Sequence, residues 1–368
     1  MSKSLGLRDI LKEMHAVRAA TSRGYAAQLL EMARLRMSRG KLGPSRYLEY
    51  NLFRTDIPWE EKRRFLGPWA DDATFSLDDV RWRALGFDKL LFDAFARGLG
   101  LPVPTIHVVL HPTRWHGDIP RLRSASEFAA WLGDAPYPLF AKPAVGGGGV
   151  RTALIKSLSA DDLIVLGNGE TIPRKDFAAA TYPTERNSGA VVVQPSLKPS
   201  SEIAEIIGDR LATARLLTLN YGDEIRVHRA ILRVPVGKSM VDNFQGGEFG
   251  NLYAPIDTET GRLTTGVTGA GIRRTEISTY PETEKRLAGL RLKDWNRSVE
   301  LVTRAALAMP GLSIIGWDVA YTDDGPMLVE ANETPGLGSV QHDMQGVADD
   351  AFDQMFVRHP KAFAASRR

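Results

Sequence analysis

The sequence contains no cysteine in 368 residues. That one absence removes disulfides, thiolate nucleophiles, cysteine–zinc sites and iron–sulfur clusters together. Net charge is also small, with Lys+Arg 47 against Asp+Glu 44 and a formal charge of +3. No run approaches the roughly 18 apolar residues that span a bilayer. The first thirty residues hold Lys3, Arg8, Asp9, Lys12 and Glu13 and lack the apolar core of a secretory leader. Neither GxxxxGK[ST] nor GxGxxG occurs, which excludes the two commonest glycine-rich phosphate signatures. What remains is a chain that is 43% hydrophobic and 25% charged, long enough for about two domains and a sizeable core. A cytoplasmic globular protein is expected, with no transmembrane segment.

The charge is unevenly distributed. Residues 1–46 carry a net charge of +7, because only Asp9, Glu13 and Glu31 oppose the lysines and arginines there, so the remainder sums to −4. A basic segment of this kind is either a packed or solvated helical face, or a surface for nucleic acid or anionic lipid. No interleaved aromatics or nucleic-acid signature accompany it, so no nucleic-acid partner is expected.

Residues 5–39 read helical, with Leu7, Ile10, Leu11, Met14 and Val17, then Leu29, Leu30, Ala33 and Met37, at three-to-four spacing. A second helical piece is expected over 58–66. A third starts at Ser76, with Ser76 and Asp79 at the N-cap and N3 positions of a capping box. A fourth runs from Lys89 to Arg97. Beyond Pro104 the character changes to short β-rich runs: 106–110, 139–142, 151–155, 191–194, 215–220, 225–234, 314–321 and 327–330. Helical stretches over 203–211 and 283–308 lie between them. The fold class is therefore α+β, divided into a helical region over 1–75, a mixed unit over 76–190 and a second over 191–368. His107, His111 and His116 crowd one strand and loop without a metal-binding geometry.

The most informative segment runs from Ile314 to Asn332. Asp323-Asp324-Gly325 suits a three-residue hairpin loop with glycine in the left-handed position of a bulge. That register sets Asp318 opposite Glu330 and Gly316 opposite Asn332. Side chains alternate by two, so Asp318, Glu330 and Asn332 share one face. Two opposed carboxylates destabilise a bare sheet. A hard divalent cation, such as Mg²⁺ with its preference for oxygen ligands and nucleotide phosphates, removes that repulsion. A solvent-facing hairpin with scattered acids is the alternative.

A second segment ends the apolar run Tyr137-Pro-Leu-Phe-Ala on Lys142. A lysine leaving such a strand needs an anion if it is buried. Gly146, Gly147, Gly148 and Gly149 follow, and consecutive glycines let backbone N–H groups close over a phosphate. A plain flexible hairpin is the alternative for this loop.

Together these stretches resemble the ATP-grasp superfamily, and within it the sugar-transfer-associated ATP-grasp proteins. The resemblance is carried by Lys142-Pro-x-x-Gly-Gly-Gly-Gly, Thr213-Ala-Arg-Leu-Leu-Thr218, Val241-Asp-Asn-Phe-Gln-Gly-Gly247, and Gly316-Trp-Asp-Val through Glu330-Ala-Asn-Glu-Thr-Pro-Gly336. It covers about residues 85–345. The last stretch is also similar to the metal motif of D-alanine–D-alanine ligases.

The resemblance implies two α+β subdomains gripping ATP. Asp318 would bind one Mg²⁺, Glu330 would bridge two, and Asn332 would complete the second. Lys142 and Lys89 would contact the phosphates under a lid of Gly146–Gly149. Residues 191–197 would form the adenine hinge, where Gln194, Ser196 and Leu197 face the base. D-alanine ligases place an arginine where this chain has Gly316, so Arg215 becomes the candidate for transition-state charge. Arg226, Arg233, Asp242, Asn243 and Gly336 are the substrate candidates. The implied activity is an ATP-dependent carboxylate–amine ligase working through an acyl phosphate and yielding ADP and phosphate. Its substrates would be small-molecule or glycan-precursor carboxylates and amines, from a polysaccharide or natural product. A kinase on the same fold, or a non-catalytic nucleotide-binding protein, are the alternatives.

Overall fold

A computed structural model describes residues 5–146, 149, 151–183, 189–237, 250–341 and 345–366. The N-terminal region is helical as expected, in α1 (Leu7–Thr21), α2 (Tyr25–Met37), α3 (Pro44–Glu49), α4 (Trp59–Lys62) and α5 (Trp69–Phe75). The stretch 5–39 is two helices and not one. Ser22 takes a left-handed φ of 59° and ends α1 before Gly24 starts α2. Inside this layer Glu31 is bound by Arg23, Tyr47 and Lys62, which satisfies a buried carboxylate.

The capping box at Ser76 does not form. Ser76 closes α5, its hydroxyl donating back to the Ala73 carbonyl. Asp79 is bound by Arg81 and donates its N–H to the Gly311 carbonyl at 2.8 Å, while Asp78 accepts from the backbone and hydroxyl of Ser313. Two further helices follow, α6 (Arg83–Phe87) and α7 (Lys89–Gly98), the latter capped by the Asp88 carboxylate at the Leu90 and Leu91 N–H groups.

The first sheet contains β1 (Val108–Leu110), β2 (Arg121–Leu122), β3 (Leu139–Pro143), β4 (Ala153–Leu158), β5 (Leu163–Leu166), β6 (Thr171–Pro173) and β7 (Val191–Pro195), in the order β2-β1-β7-β3-β4-β5-β6. Helices α8 (Ala125–Trp131) and α9 (Arg174–Thr181) cover one face through Phe128 and Phe177. The expected boundary at 190/191 falls just before β7, which is a central strand of this sheet, paired to β1 and β3.

The second sheet is antiparallel throughout, in the order β12-β11-β10-β9-β8-β13-β14. Its strands are β8 (Thr213–Asn220), β9 (Ile225–Val234), β10 (Leu252–Pro255), β11 (Gly266–Thr268), β12 (Thr275–Ile277), β13 (Ile314–Thr322) and β14 (Gly325–Asn332). One face packs on α10 (Ser201–Ile207) and α11 (Trp295–Leu307) around Trp295 and Trp317. The other packs on the N-terminal region and α12 (Asp350–Ser366), through Leu66 and Phe352. The helix expected over 283–308 begins only at Trp295, because residues 279–291 are held in extended bridges, Thr279 with Arg286 and Arg262 with Arg291. Helix α7 joins the two lobes. Leu90 packs with the first sheet and Phe92 and Ala96 with the second, which puts Lys89 at the junction.

Candidate functional site

A cavity of about 730 Å³ opens between the two sheets, and side chains from both line it. On β3, Leu139 and Ala141 enter the core under α8 and α9, so strand alternation turns Phe140 and Lys142 to the cavity. Lys142 is 6% exposed, and among the described residues its ammonium has no hydrogen-bond or ion-pair partner. Burial lowers it to about 8 from 10.5, with Lys89 pushing the same way and Glu330 opposing. A buried ammonium of this kind is a site for an anion. Lys89 lies beside it. Its ammonium reaches the Gly146 carbonyl and stands 3.3 Å from Glu330 Oε1, and its backbone N–H donates to the Ala144 carbonyl at 2.8 Å. The helix start and the glycine segment are thereby tied together, further held by the bridge between Asp88 and Val145.

The opposite wall is the β13–β14 hairpin. Asp318 pairs with Glu330 and Gly316 with Asn332, the register expected from the sequence. Its origin differs from the expectation. Thr322 pairs with Gly325, so the turn holds two residues, and the register shifts by one between Asp318 and Val319. Val329 is the extra residue that restores the pairing. Gly325 does take a positive φ, of 110°. The Asn332 Nδ2 group donates to the Gly316 carbonyl at 3.0 Å, which leaves its Oδ1 as an oxygen donor.

Asp318 sits between two arginines from neighbouring strands. Arg215 of β8 donates from Nε at 2.6 Å and from Nη2 at 3.2 Å, and Arg233 of β9 lies at 3.0 Å. Burial alone would raise the Asp318 carboxyl, but the guanidiniums outweigh it and hold the group below the usual carboxylate range. Arg215 also donates to the Pro335 carbonyl at 2.9 Å, tying the strand to the loop after Asn332. Gly316 makes room for this. A Cβ there would lie 3.0 Å from Arg215 Nη1 and from the Pro335 oxygen. The guanidinium thus occupies, from the adjacent strand, the space over residue 316.

The segment after β7 lines the apolar end of the cavity with Pro195, Ser196 and Leu197. The expectation that the Ser196 backbone faces a base fails for its N–H, which donates to the Pro138 carbonyl at 2.9 Å. By strand alternation Gln194 faces the same neighbour, where it pairs with Phe140. Leu197 N–H has no partner among the described residues.

Gly146, Gly149, Gln194 and Arg233 also border the cavity. Arg226 does not. It lies at the far end of β9 and is exposed. Gly336 stands beside Arg215. Gly147, Gly148, Asp242 and Asn243 lie outside the described residues. Sequence reading did not single out Arg151 or Arg210, which border the cavity as well. Arg151 follows the glycine run directly, the one signal that could have marked it. His116 contacts Asp93 at 2.9 Å, and His111 Nδ1 accepts from the Thr113 and Arg114 N–H groups.

The residues fit a hard cation and a polyphosphate. The donors facing the cavity are the carboxylates of Asp318 and Glu330 and the amide oxygen of Asn332. No group of three or more His, Asp or Glu that could hold a metal ion occurs among the described residues, but Mg²⁺ needs only one or two carboxylates beside substrate phosphates. The unpartnered Lys142 ammonium supplies the complementary anion site.

Two α+β lobes closing on a lysine-lined, carboxylate-walled cleft define an ATP-grasp fold. The model of the sugar-transfer associated ATP-grasp family matches residues 82–351, and the chain belongs to that family. No curated protein sequence matches it. Among solved structures it is similar to an L-amino acid ligase from Bacillus licheniformis, at 15% identity and TM-score 0.41 over 75% of this chain and 47% of that one. The VanG D-Ala:D-Ser ligase from Enterococcus faecalis gives 16% identity and TM-score 0.42 over 78% and 64%. Biotin carboxylase from Campylobacter jejuni gives 12% and 0.48 over 80% and 53%. The chain thus spans about half to two thirds of the length of these structures. No helix among the described residues is long and apolar enough to cross a membrane.

Proposed function

We propose that the protein is a cytoplasmic, ATP- and Mg²⁺-dependent carboxylate–amine ligase that forms a C–N bond and releases ADP and phosphate. The observation that carries this reading is the buried, unpartnered Lys142 ammonium set in one cavity with the opposed carboxylates Asp318 and Glu330. Bound ATP would supply the phosphoryl group that activates a carboxylate as an acyl phosphate, and two Mg²⁺ ions would neutralise charge on the phosphates. Glu330 and the Asn332 amide oxygen would hold the metal with Asp318. Lys142 and Lys89 would hold the phosphates beside Gly146 and Gly149, and the Pro195 carbonyl and Leu197 N–H would receive the base.

The chain's own contribution is position and field. Arg215 and Arg233 keep Asp318 charged and fixed, and their guanidiniums add positive potential beside the metal face. The acid and amine substrates, small molecules or glycan precursors, would enter near Gly336. No protein nucleophile is required.

Calorimetric titration with Mg-ATP, on wild type, Lys142→Met and Glu330→Gln, tests the site. Lys142→Met should lose most of the affinity, and Glu330→Gln should lose the dependence on Mg²⁺. Product analysis by mass spectrometry after incubation with pools of acids and amines tests the reaction. A condensed product supports the ligase, a phosphorylated product assigns a kinase, and absence of ATP binding by the wild type removes the reading.

A further inference from the structure

Helix α2 is apolar on two faces. Met32 and Leu35 are buried against the helical layer. On the other side Ala26, Leu29, Leu30, Ala33 and Met37 recur at three-to-four spacing and are all exposed, Leu30 by 65% and Met37 by 79%. Leu7 and Leu11 on α1 are exposed as well, by 74% and 55%. A helix that is apolar all round is normally covered on both sides, and a concentration of exposed leucines marks an interaction surface.

The surrounding charge identifies the partner. Residues 1–46 carry a net +7. Of the three acids in this segment, Glu31 is taken up by Arg23, Tyr47 and Lys62 and Glu13 by Arg273, while Asp9 is exposed on α1 beside Arg8; Arg39 and Arg46 are paired with Asp353 and Glu49. Arg8, Lys12 and Arg36 remain exposed, and Arg8 and Lys12 have no ion pair among the described residues. Apolar side chains rimmed by cations at helical spacing are the pattern of a helix lying in the interface of an anionic bilayer. A second copy of the chain would bring like charge against like charge.

We propose that the outer face of the α1–α2 hairpin is a docking surface for an anionic lipid membrane. The same helical layer contacts the loop after the site carboxylates, where the Tyr50 hydroxyl donates to the Gly338 carbonyl at 3.3 Å. The proposal does not depend on which reaction the cleft performs.

The test is sedimentation of the full chain with vesicles of phosphatidylcholine containing phosphatidylglycerol, and with phosphatidylcholine alone. Binding should be confined to the anionic vesicles and weaken severalfold as salt rises. Leu29→Glu/Leu30→Glu should abolish it and Arg8→Glu/Lys12→Glu should reduce it severalfold, with ATP binding and thermal melting unchanged because all four side chains are exposed. Equal binding to both vesicle types, no binding to either, or a concentration-dependent dimer that Leu29→Glu/Leu30→Glu dissociates would each overturn the proposal.

Discussion

Replacing Asp318 by asparagine tests the electrostatic arrangement at the centre of the cavity. The carboxylate lies within 2.6–3.2 Å of Arg215 and at 3.0 Å from Arg233, and all three side chains are buried. At an effective dielectric of about 20, each pair at such range is worth roughly 4 kcal/mol before desolvation. Removing one partner of a buried ion pair typically costs about 3–5 kcal/mol, because the remaining charge stays buried. An asparagine oxygen still accepts one guanidinium bond, so the lower end, about 3 kcal/mol, is the expectation for Asp318→Asn. At roughly 2–4 °C per kcal/mol, this lowers the melting temperature by roughly 6–12 °C. Differential scanning calorimetry and urea unfolding, both without nucleotide, read the effect. Adding Arg233→Met should recover part of the loss, since one uncompensated cation is removed. The carboxyl is held low in the folded state, so its stabilisation is present above the ordinary carboxylate range and disappears as pH falls through the lowered value. Asp318→Asn should lack that acid-side dependence. A melting temperature within about 1 °C of wild type, with no recovery in the double variant, would refute the reasoning.

Three further outcomes follow from the same geometry. Lys142, lowered to about 8 by burial, must be an ammonium to bind phosphate. ATP affinity measured by calorimetry should therefore be flat below that value and fall by up to about tenfold per pH unit above it, while the unliganded protein gains stability over the same rise because the unfolded lysine keeps its proton longer. Gly316→Ala places a methyl group 3.0 Å from Arg215 Nη1 and should displace the guanidinium, costing about 1–3 kcal/mol in unfolding experiments and most of the turnover, with ATP affinity retained. Leu197→Pro removes the N–H proposed for the base and should weaken ATP binding by about tenfold, the worth of one hydrogen bond, in the same titration.

The Asp318–Glu330 and Gly316–Asn332 pairing was legible from strand alternation and a glycine turn, although the two-residue turn by itself would set Asp318 opposite Val329. The route was not legible. The extra residue sits at Val329 inside the strand, and bulge position depends on packing that no local signal reports. Strand β9 was read to its full length because Ile225, Val227, Ile231 and Val234 spread β-branched residues along all ten positions. Strands β10, β11 and β12 escaped because each holds three or four residues interrupted by Pro255 and Gly266. The capping pattern at Ser76 was genuine in sequence and absent in structure. Asp79 instead takes Arg81 on its carboxylate and donates its N–H to the Gly311 carbonyl, an arrangement only the tertiary fold creates. The Arg215–Asp318–Arg233 cluster has the same character, since β13 meets the consecutive strands β8 and β9 from 103 residues beyond Arg215.

The central claim is that the cleft activates a carboxylate for attack by an amine. Oxygen-18-labelled carboxylic acids offered with Mg-ATP and an amine pool test it most directly, with the label followed by mass spectrometry of the released phosphate. The account predicts one labelled oxygen in the phosphate, an unlabelled ADP and a condensed product that has lost the elements of water, with Glu330→Gln giving none of these. Unlabelled phosphate alongside a condensed product, or a product that has gained a phosphoryl group, would contradict it.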